Sequence, residues 1–273
     1  MYRYAFFVAF CALVLIGSGA FLTSSQKAVD SAVQPPTSGQ GVGVHEVVAA
    51  AVGVLILGLV VWLFFVNKDA RLRGLSCIAL AVFAVEAWTG LLVSPSGVMV
   101  HACLAPVFFS ALVAIGLLLS PGWGTRPEAV SDSGFASVRL LALAAPPLVL
   151  VQIALGAAYR HKVTSVMAHM AGAMVVSLVT LIACTLILQR YPSHRSLRSA
   201  AMAVLSIVLV QVTLGVTAFI IELLDTGNAL SLVLSTVSHV LVGSMTLAST
   251  LVLAMQVQRS FSPATAHSVD QPV

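Results

Sequence analysis

Acidic and basic residues punctuate this chain rather than cover it. Residues 4–26, 47–67, 87–125, 140–159, 163–189, 199–221 and 226–258 contain no Asp, Glu, Lys or Arg. A helix that crosses a bilayer needs about 20 mostly apolar residues. The longest of these stretches, 87–125, is interrupted by Ser94-Pro95-Ser96-Gly97, a turn signal. The pattern therefore predicts eight spanning helices, at roughly 4–22, 45–66, 74–93, 98–120, 139–158, 164–189, 199–222 and 229–257. The apolar runs are continuous and do not alternate with period two, so a β-barrel is rejected. The fold class expected is an all-α integral membrane protein.

Composition agrees. Of 273 residues, 13 are Lys or Arg and 9 are Asp or Glu, with 59% hydrophobic residues and a mean hydropathy of +1.06. Charged residues are 8% of the chain, against about a quarter in soluble domains, too few to cover a water-facing surface. Water-soluble enzymes, secreted disulfide scaffolds, nucleic-acid binders and disordered regulators are excluded on this ground.

The first span has Arg3, an apolar core and the small residues Gly17-Ser18-Gly19-Ala20, the shape of a signal peptide. An uncleaved span is preferred, because it keeps the count even and completes the repeat described next. Basic residues set the orientation. One side receives Arg3, Lys68, Arg71, Arg73, Arg126, Arg139, Arg190, Arg195, Arg198 and Arg259; the other receives only Lys27, Arg160 and Lys162. Both termini are expected in the cytoplasm, and the pI near 9.1 reflects this asymmetry rather than an anionic partner. The loops are short, with no room for a soluble domain. The inner loop 121–138 and the tail after Arg259 read as mobile. Cys11, Cys77, Cys103 and Cys184 lie in apolar segments with no CxxC spacing, and read as small core residues.

The spans repeat. Val149-Leu150-Val151-Gln152-Ile153-Ala154-Leu155-Gly156 and Val208-Leu209-Val210-Gln211-Val212-Thr213-Leu214-Gly215 are near copies. The third span has a weaker version, Val85-Glu86-Ala87-Trp88-Thr89-Gly90, and the first keeps only small residues near Gly17. Each of these helices is followed by one that carries a histidine: Gly17 precedes His45, Gly90 precedes His101, Gly156 precedes His169 and Gly215 precedes His239. The chain thus reads as repeated hairpins forming two four-helix halves. The organisation expected is 1–120, a linker 121–138, 139–258 and a tail 259–273. His194 and His267 fall in polar stretches outside the spans, and His161 in the outer loop.

An ionisable residue in a membrane span is costly and marks a functional candidate. Four histidines, one on each even-numbered span and at similar depth, point to ligation. Neutral imidazole binds zinc, copper or haem iron, and a structural zinc site asks for four close ligands. The repeat instead divides the histidines into two pairs, His45 with His101 and His169 with His239. Two imidazoles on facing helices can hold a flat macrocycle in a bundle core. Gly156 and Gly215 would leave room for the edge of such a ring, although small residues also serve plain helix packing. Tyr159-Arg160-His161-Lys162 is a basic cluster on the side poor in cations. It reads either as interfacial snorkelling or as a carboxylate site in which Arg160, then His161 or Lys162, pairs with haem propionates.

On Gln152-Ile153-Ala154-Leu155-Gly156-Ala157-Ala158-Tyr159-Arg160-His161 with His169, and on Gln211 to Gly215 with His239, the chain resembles the haem A synthase family over nearly its whole length. The resemblance implies eight helices in two pseudo-symmetric four-helix bundles. It implies a resident haem b on His169 and His239, and a site for the substrate haem O on His45 and His101. The implied activity is oxidation of the C8 methyl group of haem O to the formyl group of haem A. That would support cytochrome oxidase assembly in the inner membrane, alongside the enzyme that makes haem O and an electron acceptor of unspecified identity. The chain departs from the family where it usually has a Glu three residues before the first histidine and an Arg just after it. Here those positions hold Val42 and Glu46. Adjacent residues point about 100° apart on a helix, so Glu46 does not replace a carboxylate at 42. Glu86, the acidic residue well inside a span, is the alternative catalytic carboxylate, or a polar contact between helices. The paired outer-loop cysteines of some members are absent. Three other readings stay open: a haem-binding assembly homologue without catalysis, a b-type electron-transfer protein, and a small transporter built from repeats.

Overall fold

A computed structural model of the chain describes residues 1–31, 39–67, 69–92, 94–125, 127, 129–131, 137–224 and 228–261. Lys68, Arg126, His267 and most of the 259–273 tail lie outside the described residues, as does the side chain of Val42. Among the described residues the regular structure is entirely helical: α1 Tyr2–Ser31, α2 Gly39–Val66, α3 Ala70–Gly90, α4 Pro95–Leu118, the single turn α5 Pro121–Gly124, α6 Val138–Arg160, α7 Val166–Arg190, α8 Arg195–Leu224 and α9 Ala229–Ser260. All but α5 are long and apolar enough to cross a membrane, and they correspond to the eight expected spans. The chain is a multi-pass membrane protein on this ground.

Local chemistry sets the ends. Asp69 caps α3 by accepting from the Arg71 amide at 2.9 Å. Ser94 accepts from the Gly97 amide at 3.2 Å, so the predicted turn is the N-terminus of α4, with Pro95 in its first turn. Ser137 caps α6 through Leu140, and Asn228 caps α9 through Ser231, both at 3.1 Å. Such caps satisfy amides that have no partner within the helix. Pro106 in α4 and the pair Pro146 and Pro147 in α6 are tolerated inside the spans. A buried helix with close neighbours can re-satisfy the freed carbonyls; one turn on, the Ser110 hydroxyl donates to the Pro106 carbonyl at 2.7 Å.

Two circuits of packing result. α1 packs on α2, α2 on α3, α3 on α4, and α4 returns to α1; α6, α7, α8 and α9 close a second circuit, with α9 returning to α6. α9 also packs against α1 and α4 and joins the circuits. Each circuit has its own apolar cluster. The first is built on Val8, Ile56, Leu59, Leu63, Phe108, Leu112 and Ile115. The second is built on Val138, Ala142, Cys184, Ile187, Leu197, Val204, Leu253 and Val257. Both lie toward the end where α1 begins and α9 finishes. The four span histidines sit toward the opposite end, beyond these plugs.

The described positions of the linker are tied to neighbouring elements. The Val130 amide donates to Ser260 carbonyl at 2.9 Å. The Tyr191 hydroxyl donates to Ser131 carbonyl at 2.8 Å, and Tyr191 stacks edgewise on Phe261. Arg259 lies over the Trp123 ring at 4.4 Å and donates to the Thr125 carbonyl. At the other end, α6 stops in a tight reversal. The Val163 amide donates to Ala158 carbonyl at 2.8 Å and the Lys162 amide to Tyr159 carbonyl at 3.0 Å. Lys162 has φ 59°. This is the hydrogen-bond pattern of a helix stop that normally uses glycine in the left-handed region. A side chain in that region costs about 1 kcal/mol. Lys162→Gly should therefore raise the thermal midpoint in detergent and Lys162→Val should lower it; equal midpoints would contradict the strain.

Candidate functional site: two facing histidine pairs

The packing circuits bring the four span histidines together two by two. The ring centres of His45 and His101 are 6.5 Å apart, with planes inclined at 81°. Those of His169 and His239 are 6.2 Å apart at 83°. An imidazole nitrogen binds a metal at about 2.0–2.1 Å, and the ring centre lies about 1.1 Å behind it, so two rings sharing one ion in line have centres roughly 6.3 Å apart. Both pairs match that separation. Among the described residues, no group of three or more His, Cys, Asp or Glu converges on one point. The histidines thus form two separate pairs rather than one cluster of four.

Each ring is seated on a glycine of the preceding helix. A Cβ at Gly19 would come within 3.0 Å of His45, at Gly90 within 3.2 Å of His101, and at Gly156 and Gly215 within 2.9 Å of His169 and His239. In every case the nearest ring atom is Cε1, and Nε2 is the most distant ring atom in contact. The four histidines therefore share one pose. This revises one expectation: in the first span the seat is Gly19, whereas Gly17 faces Leu241. Gly156 and Gly215 lie in contact with the imidazoles of His169 and His239. Corrected in this way, the repeat aligns Leu15, Glu86, Gln152 and Gln211, each one turn before its glycine and on the same helix face.

In the first pair, fixed acceptors settle the tautomers. His101 Nδ1 is 2.9 Å from the Glu86 carbonyl oxygen. A carbonyl only accepts, so Nδ1 carries the proton. His45 Nδ1 is 2.9 Å from the Ser18 hydroxyl, whose own proton goes to Leu15 carbonyl at 2.8 Å. The hydroxyl therefore accepts, and His45 Nδ1 also carries the proton. Both rings keep the Nε2 lone pair, as metal-binding histidines held by outer partners do. In the second pair, the partners are carboxamides. Gln152 Nε2 donates to His169 carbonyl at 2.8 Å and lies 2.9 Å from its Nδ1. Gln211 Nε2 lies 3.3 Å from His239 Nε2.

The other candidates are placed as follows. Glu86 is buried, with Oε1 4.0 Å from His101 Nδ1, and its Oε2 has no hydrogen-bond partner. Glu46 is exposed on α2. Arg160 donates to Thr23 at 2.8 Å and Ser24 at 2.7 Å, so it ties the end of α6 to α1. Beside it, the Tyr159 hydroxyl donates to Glu222 at 3.0 Å. His161 titrates below the usual imidazole range, first from burial and then from the Arg160 charge. Lys162 is exposed and makes the chain reversal. The cysteines are all free, with Cys184 buried and Cys77 exposed.

The sequence reading missed Ser18 and Gly19 as partners of His45, the ring contacts of Gln152 and Gln211, and the Thr23, Ser24 and Glu222 contacts. The Ser18-Gly19 step was visible only as one of several small residues. No protein-family model matches the chain, and no curated protein matches it.

The glycine seats make a direct test. Alanine in place of a helical glycine normally gains about 1 kcal/mol of helix propensity, and Gly74 has open space around it. Gly74→Ala should stabilise the protein. Gly156→Ala should reverse the sign, because overpacking of this kind costs typically 1–3 kcal/mol. Thermal midpoints of the two variants in one detergent check this. Stabilisation by both would remove the argument that the imidazole occupies the glycine notch.

Proposed function

We propose that the chain is a haem protein of the haem A synthase type, which oxidises the C8 methyl group of haem O to the formyl group of haem A for cytochrome oxidase assembly. The observation that carries this reading is the meeting of four span histidines in two facing pairs at the spacing of two imidazoles on one metal atom. The donor set fits haem iron: neutral imidazoles only, two per site, in apolar helical surroundings. In this reading the two packing circuits are pseudo-symmetric halves, 1–120 and 139–258, with both termini in the cytoplasm and the chain in the inner membrane.

His169 and His239 would hold a resident haem b, and His45 and His101 would hold haem O as substrate. Bound in the second half, haem b would supply one-electron transfer. The chain's own residues do the positioning. Ser18 and the Glu86 carbonyl lock the proton of each N-terminal ring on Nδ1 and turn Nε2 toward the substrate. Gly19 and Gly90 set the depth of those rings. The Glu86 carboxyl group, with an unpartnered oxygen beside His101, is placed to hold a proton there. Arg160 suits a propionate carboxylate, which would take over the donors now given to Thr23 and Ser24.

A second reading keeps the haems and drops the catalysis. Val42 favours it, because the side chain is apolar where the resemblance asks for a carboxylate. The two readings separate in one set of reduced-minus-oxidised spectra, with the pigment extracted and identified from cells supplied with haem O. Wild type should show a haem signal. His169→Ala should lose the haem b component, while His45→Ala should keep it and lose conversion of haem O. Haem b without conversion in wild type selects the second reading. A wild-type protein with no haem signal, or substitutions that leave it unchanged, would defeat both.

A further inference from the structure

Away from the histidines, the turn between α7 and α8 borders a cavity of about 490 Å³, lined by Pro192, Ser193, Arg195, Arg198, Ser199 and Met202. It lies at the end of the spans where the basic residues collect. Arg195 and Arg198 are three residues apart and share a helix face, so both guanidinium groups border the same space. Both residues are exposed, and no described residue gives either guanidinium a hydrogen bond or an ion pair. No Asp or Glu stands between Asp132 and Glu222 in the sequence, so nothing close along the chain offsets the two charges. The first turn of α8 is closed from within, because His194 Nδ1 accepts from the Leu197 amide at 3.4 Å. The positive charge of the cavity therefore comes from the two side chains rather than from free helix amides.

The same face of α8 continues as an apolar stripe. Met202, Leu209 and Val216 follow Arg198 at helical spacing and are 49%, 69% and 52% exposed. The buried residues of α8, Leu197, Ala200, Ala201 and Val204, lie on a different face. Orientation in a membrane asks for cations at one end of the spans. It asks for no cavity and no particular helix face. Here a cavity, two guanidinium groups without partners and an apolar stripe follow one another along one helix, in the order in which a phospholipid presents its phosphate and its acyl chain.

We propose that this cavity binds the phosphate of an anionic phospholipid, with Arg195 and Arg198 on the phosphate oxygens and an acyl chain along Met202, Leu209 and Val216. Guanidinium groups match phosphate oxygens in a fork, and basic pockets at the ends of spans take anionic headgroups. A phosphodiester brings one negative charge to two positive ones. A headgroup that adds its own cation, such as choline, brings back the repulsion that the phosphate relieves. The site therefore selects phosphatidylglycerol over phosphatidylcholine. The proposal is independent of the haem reading, since it shares no residue with the histidine pairs.

The test is a calorimetric titration of the delipidated full-length protein in a neutral detergent. The titrants are dioctanoyl phosphatidylglycerol, dioctanoyl phosphatidylcholine and inorganic phosphate. Wild type should bind phosphatidylglycerol more tightly than either of the others. Arg195→Gln and Arg198→Gln should each weaken that binding about 5-fold, and together about 30-fold. Arg71→Gln removes an exposed cation at the start of α3, at the same end of the spans, and should leave it unchanged. The proposal is overturned if the double variant binds phosphatidylglycerol as wild type does, or if Arg71→Gln loses as much as the double variant. It is also overturned if wild type binds both lipids alike, or if inorganic phosphate binds as tightly as phosphatidylglycerol, which would make this a free-anion site. If the double variant does not purify, the single variants decide: a loss in either supports the proposal, and no change in both overturns it.

Discussion

The contact on which the site depends is an imidazole lying against a glycine of the preceding helix. It occurs four times, at Gly19 with His45, Gly90 with His101, Gly156 with His169 and Gly215 with His239. Helices carrying ordinary side chains at that depth could not come close enough to fix the ring. With the glycine present, backbone and ring pack in direct contact, and the ring's direction is set by helix geometry rather than by a flexible side chain. The two facing pairs follow from this, because α2 and α4 both return to α1 or α3, and α7 and α9 to α6 or α8. The apolar clusters toward the terminal end hold these helices in register. The polar chemistry is left to the opposite end.

The sequence made the architecture legible because its signals are long. Seven long charge-free stretches, the longest divided by a turn, survive any uncertainty in their ends. The histidine pairs were equally legible, since the repeat assigned one to each hairpin. Single-position signals were less clear. Gly17 and Gly19 sit two apart among small residues, and only the packing of α1 against α2 shows that Gly19 faces His45 while Gly17 meets Leu241. Arg160 was visible as a cation on a cation-poor side, but its partners Thr23 and Ser24 lie more than a hundred residues away. The linker read as mobile because it is polar. Its anchors, Tyr191 and Arg259, belong to other elements and carry no local signature.

The two packing circuits share the histidine-on-glycine contact and differ in what surrounds it. In the first, the outer ring nitrogens meet a serine hydroxyl and a peptide carbonyl, and a buried glutamate with one unpartnered oxygen stands alongside. In the second, carboxamides reach the rings, Gln152 at His169 Nδ1 and Gln211 at His239 Nε2. A duplicated hairpin needs no such difference to fold. It fits a division of labour in which one site turns over its occupant and the other keeps it.

If each histidine pair holds one iron, as proposed, its two rings would bind with their planes nearly perpendicular, at the observed inclinations of 81° and 83°. Electron paramagnetic resonance of the oxidised, purified protein tests this most directly. Perpendicular axial imidazoles give a low-spin ferric signal of extreme anisotropy, whereas parallel ones give an ordinary rhombic low-spin signal. The account predicts the highly anisotropic signal, lost from the second half in His239→Ala. A rhombic signal, a high-spin signal alone, or no ferric signal would contradict it.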